Sequence, residues 1–251
     1  MLEAAVTRIA ELVPDDALLL DVGGWAAPFN RADWVLDLMP HATRGGDGAH
    51  GGSWERFSAQ TWVHRDACSR RPWPWPDDHF AFAVCSGTLE ELRDPVWVCA
   101  ELSRVARAGY VEVSTVESEL IADPGWLERH RWLCDFAAGE LVFTHKTAAL
   151  RDDATLRVPA RWHERMEPAE HVQGFFWDGE LRARERFLVG DERDAALDAL
   201  RTRLRERFEP STTEVRVRQA RDLAQQGLDL ARGPGRHAAG RIIDGLRRRG
   251  E

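Results

Sequence analysis

An α/β fold built on a mostly parallel sheet is predicted by three features of this sequence. Short apolar runs recur along the first 115 residues, and three of them end at or just before an acid: Asp21, Asp37 and Asp66. The runs are separated by helical patterns or by Pro- and Gly-rich loops, not by two-residue turns. The first run breaks at Gly23-Gly24, where a chain can turn sharply at the carboxyl end of a strand.

Leu2, Val6, Ile9, Ala10 and Val13 recur at helical spacing, and Pro14-Asp15-Asp16 ends that pattern. Strands are predicted over Ala17–Val22, Trp34–Leu38, Thr61–His64, Phe80–Cys85 and Tyr110–Ser114. His41–Ser53 is Gly-rich and reads as a loop. Arg71–Pro76 holds three prolines, which suit neither a helix nor a central strand. Pro95–Arg107 reads as a helix with Val98, Leu102 and Val105 on one face. Trp132–Phe136 and Leu141–His145 flank Ala-Ala-Gly-Glu and read as a hairpin. A second hairpin is predicted from Val172–Trp177 and Leu181–Phe187, turning at Asp178-Gly179. The chain from Asp191 is helical in composition, broken at Pro210 and at Gly233-Pro234-Gly235. The expected divisions are 1–120, 121–190 and a helical C-terminal extension over 191–251.

Composition narrows the function. A net charge of −8 argues against a general nucleic-acid binder, although the balance turns positive after Pro210. Cys68, Cys85, Cys99 and Cys134 have no metal-type spacing and read as reduced, buried thiols of a cytoplasmic protein. Glu3, Arg8 and Glu11 interrupt the N-terminal apolar pattern, so no signal peptide is expected, and no stable membrane insertion is expected either.

Asp21, Asp37 and Asp66 would lie along one edge of a parallel sheet, where a carboxylate can accept hydrogen bonds from ribose hydroxyls or an adenine amine. Arg and Lys are absent between Gly23 and Asn30, so that edge suits a sulfonium better than a pyrophosphate. From Leu18 to Ser114 the chain resembles the class I, Rossmann-like S-adenosylmethionine (SAM)-dependent methyltransferases, in particular the type 11 small-molecule group. Leu19–Gly24 resembles the glycine motif that holds the methionine part of SAM, Val35–Leu38 the strand-two acid that binds ribose, and Asp66-Ala67 the pair beside adenine. Trp75–Phe80 with Ala81–Ser86, then Gly87–Pro95, then Glu101–Val105 with Gly109–Val113, follow in the family's order. The resemblance implies a doubly wound sheet of the seven-strand type and SAM as cofactor; with no basic groove for nucleic acid and no polypeptide-specific mark, a small-molecule or glycan acceptor methylated at oxygen is expected. Cys85 and Ser86 join the cofactor set on the same ground.

The chain departs from that pattern in places. Trp25 and Ala27 stand where further glycines are usual, and about ten residues join Gly24 to the second strand. A parallel crossover takes a dozen or more, so the first helix should shrink to a turn, with Trp25 or Phe29 covering the ligand.

Glu91 and His130 are the candidate catalytic groups, with Glu90 and Glu117 behind them. Each candidate has a plainer reading: Asp21 or Asp37 as turn acids, Asp66 and His130 as surface residues, Glu90-Glu91 as dipole complements at a helix start. Trp126, Trp132, Trp162 and Trp177 could form an aromatic acceptor pocket or a core. The basic amphipathic segment Glu214–Arg232 would pack on its own domain or form a homodimer contact, more readily than lie on a membrane. Two rivals remain open. A catalytically degenerate SAM-binding or interaction module is one; a nicotinamide or flavin oxidoreductase, which would need Gly-x-Gly-x-x-Gly where this chain has Gly23–Pro28, is the other.

Overall fold

The computed structural model describes residues 1–45, 54–121 and 129–208. The chain divides into two compact units, Met1–Leu204 and Arg205–Glu251, and the first carries everything discussed below. The amphipathic segment Glu214–Arg232, Trp126 and most of the Gly-rich loop fall outside the described residues.

Helix α1 (Glu3–Leu12) precedes strand β1 (Leu19–Val22). Then come β2 (Trp34–Asp37), β3 (Trp62–His64), β4 (Phe80–Ser86), helix α2 (Pro95–Val105) and β5 (Ala106–Ser114). These five strands are parallel, in the order β3-β2-β1-β4-β5. The order reverses between β1 and β4, the place where open α/β sheets bind ligands. Asp94 starts α2 by accepting the Trp97 N–H at 3.1 Å, with Pro95 in the first turn where its missing N–H costs nothing. Beyond β5 the short helix α3 (Val116–Glu119) leads toward the hairpin β6 (Trp132–Ala137) and β7 (Glu140–His145), as expected.

The second predicted hairpin does not form. β8 (Val172–Asp178) pairs antiparallel with β5 and becomes the sixth strand of the main sheet. β9 (Ala183–Arg186) pairs parallel with β7, making a separate three-stranded sheet. The turn at Gly179 is present, with φ +71°, but the two strands part there. The physical reason lies in β8 itself. Phe176 packs on Tyr110 on one face of the sheet, at 4.7 Å between ring centroids, while Trp177 joins the core on the other. A strand with aromatic side chains on both faces gains by joining a sheet covered on both layers, and β5 offered an unpaired edge.

The first crossover is shorter in structure than expected. Residues 23–33 join β1 to β2 as an irregular loop with no helix. It is held by the Asp33 N–H on the Leu19 carbonyl and the Leu19 N–H on the Asp33 carboxylate, both at 2.8 Å. Among the described residues the main sheet has six strands, not the seven expected.

Strand periodicity sorts the side chains between two layers. Leu19, Val35, Phe82, Val84 and Tyr110 face α1 and pack around Ile9. Leu20, Leu36, Ala83, Cys85, Val111 and Val113 face the opposite side, against α2 and the small sheet. Trp132 and Trp177 are buried in that second layer, so both serve as core. The four cysteines are free and buried.

Candidate functional site

The same period of two decides which polar groups meet. Asp21 follows Leu19 by two residues, Asp37 follows Val35, Ser86 follows Val84, and Glu112 follows Tyr110. All four lie on the α1 layer of the sheet, toward the carboxyl ends of its strands. Asp21, Gly23, Gly24, Ser86, Gly87 and Glu112 line a cavity of about 760 Å³ at the sheet's reversal point. Val6 and Ala10 of α1 and Phe29 of the helix-free crossover wall it. That volume lies within the usual range for small-molecule sites.

The glycine pair is required by its surroundings. Gly23 has φ +81°, and a β-carbon there would strike the Thr88 side chain. A β-carbon on Gly24 would overlap the Asp21 carboxylate. The Gly23 carbonyl accepts the Thr88 hydroxyl at 3.2 Å, which ties the turn after β1 to the loop after β4.

Two buried carboxylates of this cavity are shifted in opposite directions. Asp21 is 4% exposed and accepts the Phe29 N–H at 2.8 Å. Burial pushes its carboxyl from the ordinary 3.8 to about 7, helped by the negative charge of Asp37 and opposed by the Phe29 N–H. Glu112 is 3% exposed but well supplied with donors. The Leu2 N–H lies at 2.9 Å, the Tyr110 hydroxyl at 2.7 Å and the Ser86 hydroxyl at 2.8 Å. Burial alone would raise it; those bonds and the N-terminal ammonium, 3.5 Å away, leave it below the ordinary 4.5. Arg31 also lines the cavity, but its guanidinium is taken by Asp33 and by the carbonyls of Pro14, Asp15 and Ala17. A cation entering the cavity would favour the ionised form of Asp21, whereas Glu112 already has its counter-charge. Glu112 escaped sequence reasoning, and the signal was its place in the apolar run Tyr110–Val113 with the parity of Tyr110.

The other predicted cofactor residues are placed less directly. Asp37 accepts the Trp25 N–H at 3.0 Å and the Met39 N–H at 2.6 Å, and burial raises its carboxyl against those bonds. Asp66, just past β3, accepts the Cys68 N–H at 2.9 Å and pairs with Arg93 at 2.6 Å. Asp37 and Asp66 share the sheet edge with Asp21 but do not line the cavity. Ala67 packs in the core and its carbonyl accepts the Trp73 indole N–H at 3.1 Å. The Cys85 side chain points into the opposite layer, beside Cys99, where burial holds its thiol well above the ordinary range. Phe29 covers one side of the cavity; Trp25 is turned away, donating to the Thr43 carbonyl at 2.7 Å.

The two predicted catalytic residues do come together, on the other layer. His130 Nε2 lies 3.6 Å from a Glu91 carboxylate oxygen. His130 Nδ1 is hydrogen-bonded to Glu119, whose other oxygen is paired with Lys146. Glu119 and Lys146 are buried, and desolvation pulls the Lys146 ammonium down against the attraction of Glu119. The neighbouring Glu90 is 1% exposed, with one oxygen accepting from Ser114 and the other without a protein partner. Burial pushes its carboxyl up. Glu117 instead pairs with Arg203. Glu119 and Lys146 were invisible to sequence reasoning because they lie 11 and 16 residues from His130 with no shared pattern. Among the described residues no cluster of His, Cys, Asp and Glu could hold a metal ion, and no helix is long and apolar enough to cross a membrane.

No protein-family model and no curated protein matches this sequence. Several solved structures are similar to it. One is the complex of the Haloferax volcanii Trm112 methyltransferase activator with a methyltransferase: 15% identity, TM-score 0.36, covering 51% of this chain and 57% of the other. An SAM-dependent methyltransferase from Mesorhizobium loti is 15% identical with TM-score 0.34, covering 56% and 62%. One from Aquifex aeolicus is 18% identical with TM-score 0.31, covering 45% and 64%. The match spans less than two thirds of each of these chains.

Proposed function

We propose that this chain is a methyltransferase that binds SAM and methylates an oxygen of a small-molecule or glycan acceptor. The observation that carries the reading is the meeting of Asp21, Ser86 and Glu112 with the Gly23-Gly24 turn on one cavity at the reversal point of the sheet. Buried carboxylates favour a cation, and the sequence from Leu18 to Ser114 supplies the ordered motifs of a SAM site. When bound, SAM supplies an electrophilic methyl group on a sulfonium.

Gly23 and Gly24 let the ligand approach the backbone, and Asp21 offers its carboxylate to the positive methionine end. Ser86 lies beside it, kept in place by Glu112. Asp37 and Asp66 at the next two strand ends take the ribose and the adenine. Asp37 has already accepted two N–H bonds, yet a carboxylate retains further lone pairs for a diol. Ala67 and Cys85 contribute backbone only, since their side chains belong to the core.

His130, on the layer opposite the donor cavity, is the group assigned to take the proton of an acceptor that reaches from one layer to the other. In the tautomer that donates from Nδ1 to Glu119, Nε2 carries the lone pair that accepts that proton. Lys146 fixes Glu119, and Glu91 stands near Nε2 to orient an acceptor hydroxyl.

Thermal shift and calorimetry with SAM, S-adenosylhomocysteine, NAD and FAD test the donor site. Stabilisation by the two adenosyl-sulfur ligands alone is expected, and absence of binding by both removes the reading. His130→Asn should retain S-adenosylhomocysteine affinity and lose turnover. The helix-free first crossover favours a second reading, a module that binds SAM without transferring its methyl. Tight SAM binding with no turnover over a broad acceptor panel selects it.

A further inference from the structure

A second cavity, of about 470 Å³, lies on the layer opposite the donor site. Its charged lining is Arg93, Arg129, Arg131, Arg151, Lys146 and Glu185. Two of those cations are already neutralised, Arg93 by Asp66 and Lys146 by Glu119. Among the described residues no carboxylate lies within ion-pair distance of Arg129, Arg131 or Arg151. Against the single charge of Glu185 this leaves a local surplus of positive charge in a chain whose net charge is −8. A concave site lined by one sign of charge concentrates the opposite ion, and guanidinium forks match the oxygens of a phosphate.

The remaining wall is aromatic. His145 and Phe187 are stacked at 5.3 Å, and Trp132 stands edge-on to both. Phe187 is 52% exposed, an unusually open apolar surface beside so many arginines.

From this juxtaposition we infer that the cavity binds a phosphate-type dianion carried on an aromatic ring, the oxyanion held by Arg129, Arg131 and Arg151 and the ring laid against Phe187. His130 and Lys146 also line this cavity, so the ligand would lie beside the proposed proton acceptor; its binding uses no part of the donor cavity. Arg131 also donates to the Glu91 carbonyl at 3.0 Å, so it is the least suitable of the three to remove. Arg129 and Arg151 are exposed and can be changed with little effect on folding.

Calorimetry on the full chain with phenyl phosphate, inorganic phosphate and phenol tests it, with no SAM present. Phenyl phosphate should bind saturably, more tightly than inorganic phosphate, while phenol shows no binding. R129Q/R151Q should weaken phenyl phosphate at least tenfold. F187A should abolish the preference for phenyl phosphate over inorganic phosphate. R182Q, which removes a surface arginine paired with Glu180, is the charge control and should leave affinity unchanged. The inference is overturned if neither phosphate probe binds saturably, if R129Q/R151Q binds like the parent, or if R182Q weakens binding equally. Since the readout is direct binding, failure of methyl transfer would leave it untouched.

Discussion

Asp21→Asn should make this protein more stable at neutral pH while removing its affinity for a cationic ligand. The Asp21 carboxyl titrates at about 7 in the folded chain against an ordinary 3.8. Folding therefore favours the protonated form. In acid below both values the site is neutral in both states and costs nothing. As pH rises from about 4 the unfolded chain ionises first, so folded stability falls until pH passes about 7. Across a gap of about three pH units, at 1.36 kcal/mol for each, the full penalty is about 4 kcal/mol, of which roughly 2–3 kcal/mol accrues between pH 5 and pH 8.

An asparagine amide can still accept the Phe29 N–H and has no charge to desolvate. Urea denaturation of both proteins at pH 5, 6, 7 and 8 should show the variant gaining on the parent by that amount over the range. Glu90, also raised by burial, is common to both proteins and cancels in the difference, whereas Asp37, coupled by charge to Asp21, cancels only in part. SAM affinity of the parent should rise with pH through about 7, with release of a proton, and the variant should lack that dependence. Parallel stability profiles for the two proteins would show that Asp21 is solvated after all, and the electrostatic account of the cavity would fail.

Gly24→Ala should cost about 1–3 kcal/mol and weaken S-adenosylhomocysteine binding, because the new methyl overlaps the Asp21 carboxylate; melting curves and calorimetry check it. Glu119→Gln leaves the Lys146 ammonium buried without its counter-charge and should cost about 3–5 kcal/mol in chemical denaturation. Tyr110→Phe removes a hydrogen bond to the ionised Glu112 and should cost about 1.5–3 kcal/mol at pH 7. That difference should shrink as the pH falls through the carboxylate range, since Glu112 is held below 4.5 in the folded state and its contribution is lost when it protonates.

The local code was legible where one strand suffices to decide it. Apolar runs, three of them ending at acids, placed β1 to β5, and Asp94-Pro95 marked the start of α2. The same period of two, applied within a strand, separates Ser86 from Cys85 and would have added Glu112 to the site. What sequence could not decide was partnership between distant segments. Val172–Asp178 and Ala183–Arg186 carry strand patterns with a turn between them, yet they enter different sheets because β5 and β7 each had an open edge. Glu119 and Lys146 carry no motif; their importance arises from burial together beside His130.

The amino-acid order by itself determined the alternation of layers and the glycine turn, since those follow from backbone geometry over a few residues. Tertiary structure alone decided the charge states. A carboxyl at about 7 and another below 4.5 share one cavity because their solvation and donors come from chain segments far apart. No local pattern encodes how much water a folded chain leaves around an acid.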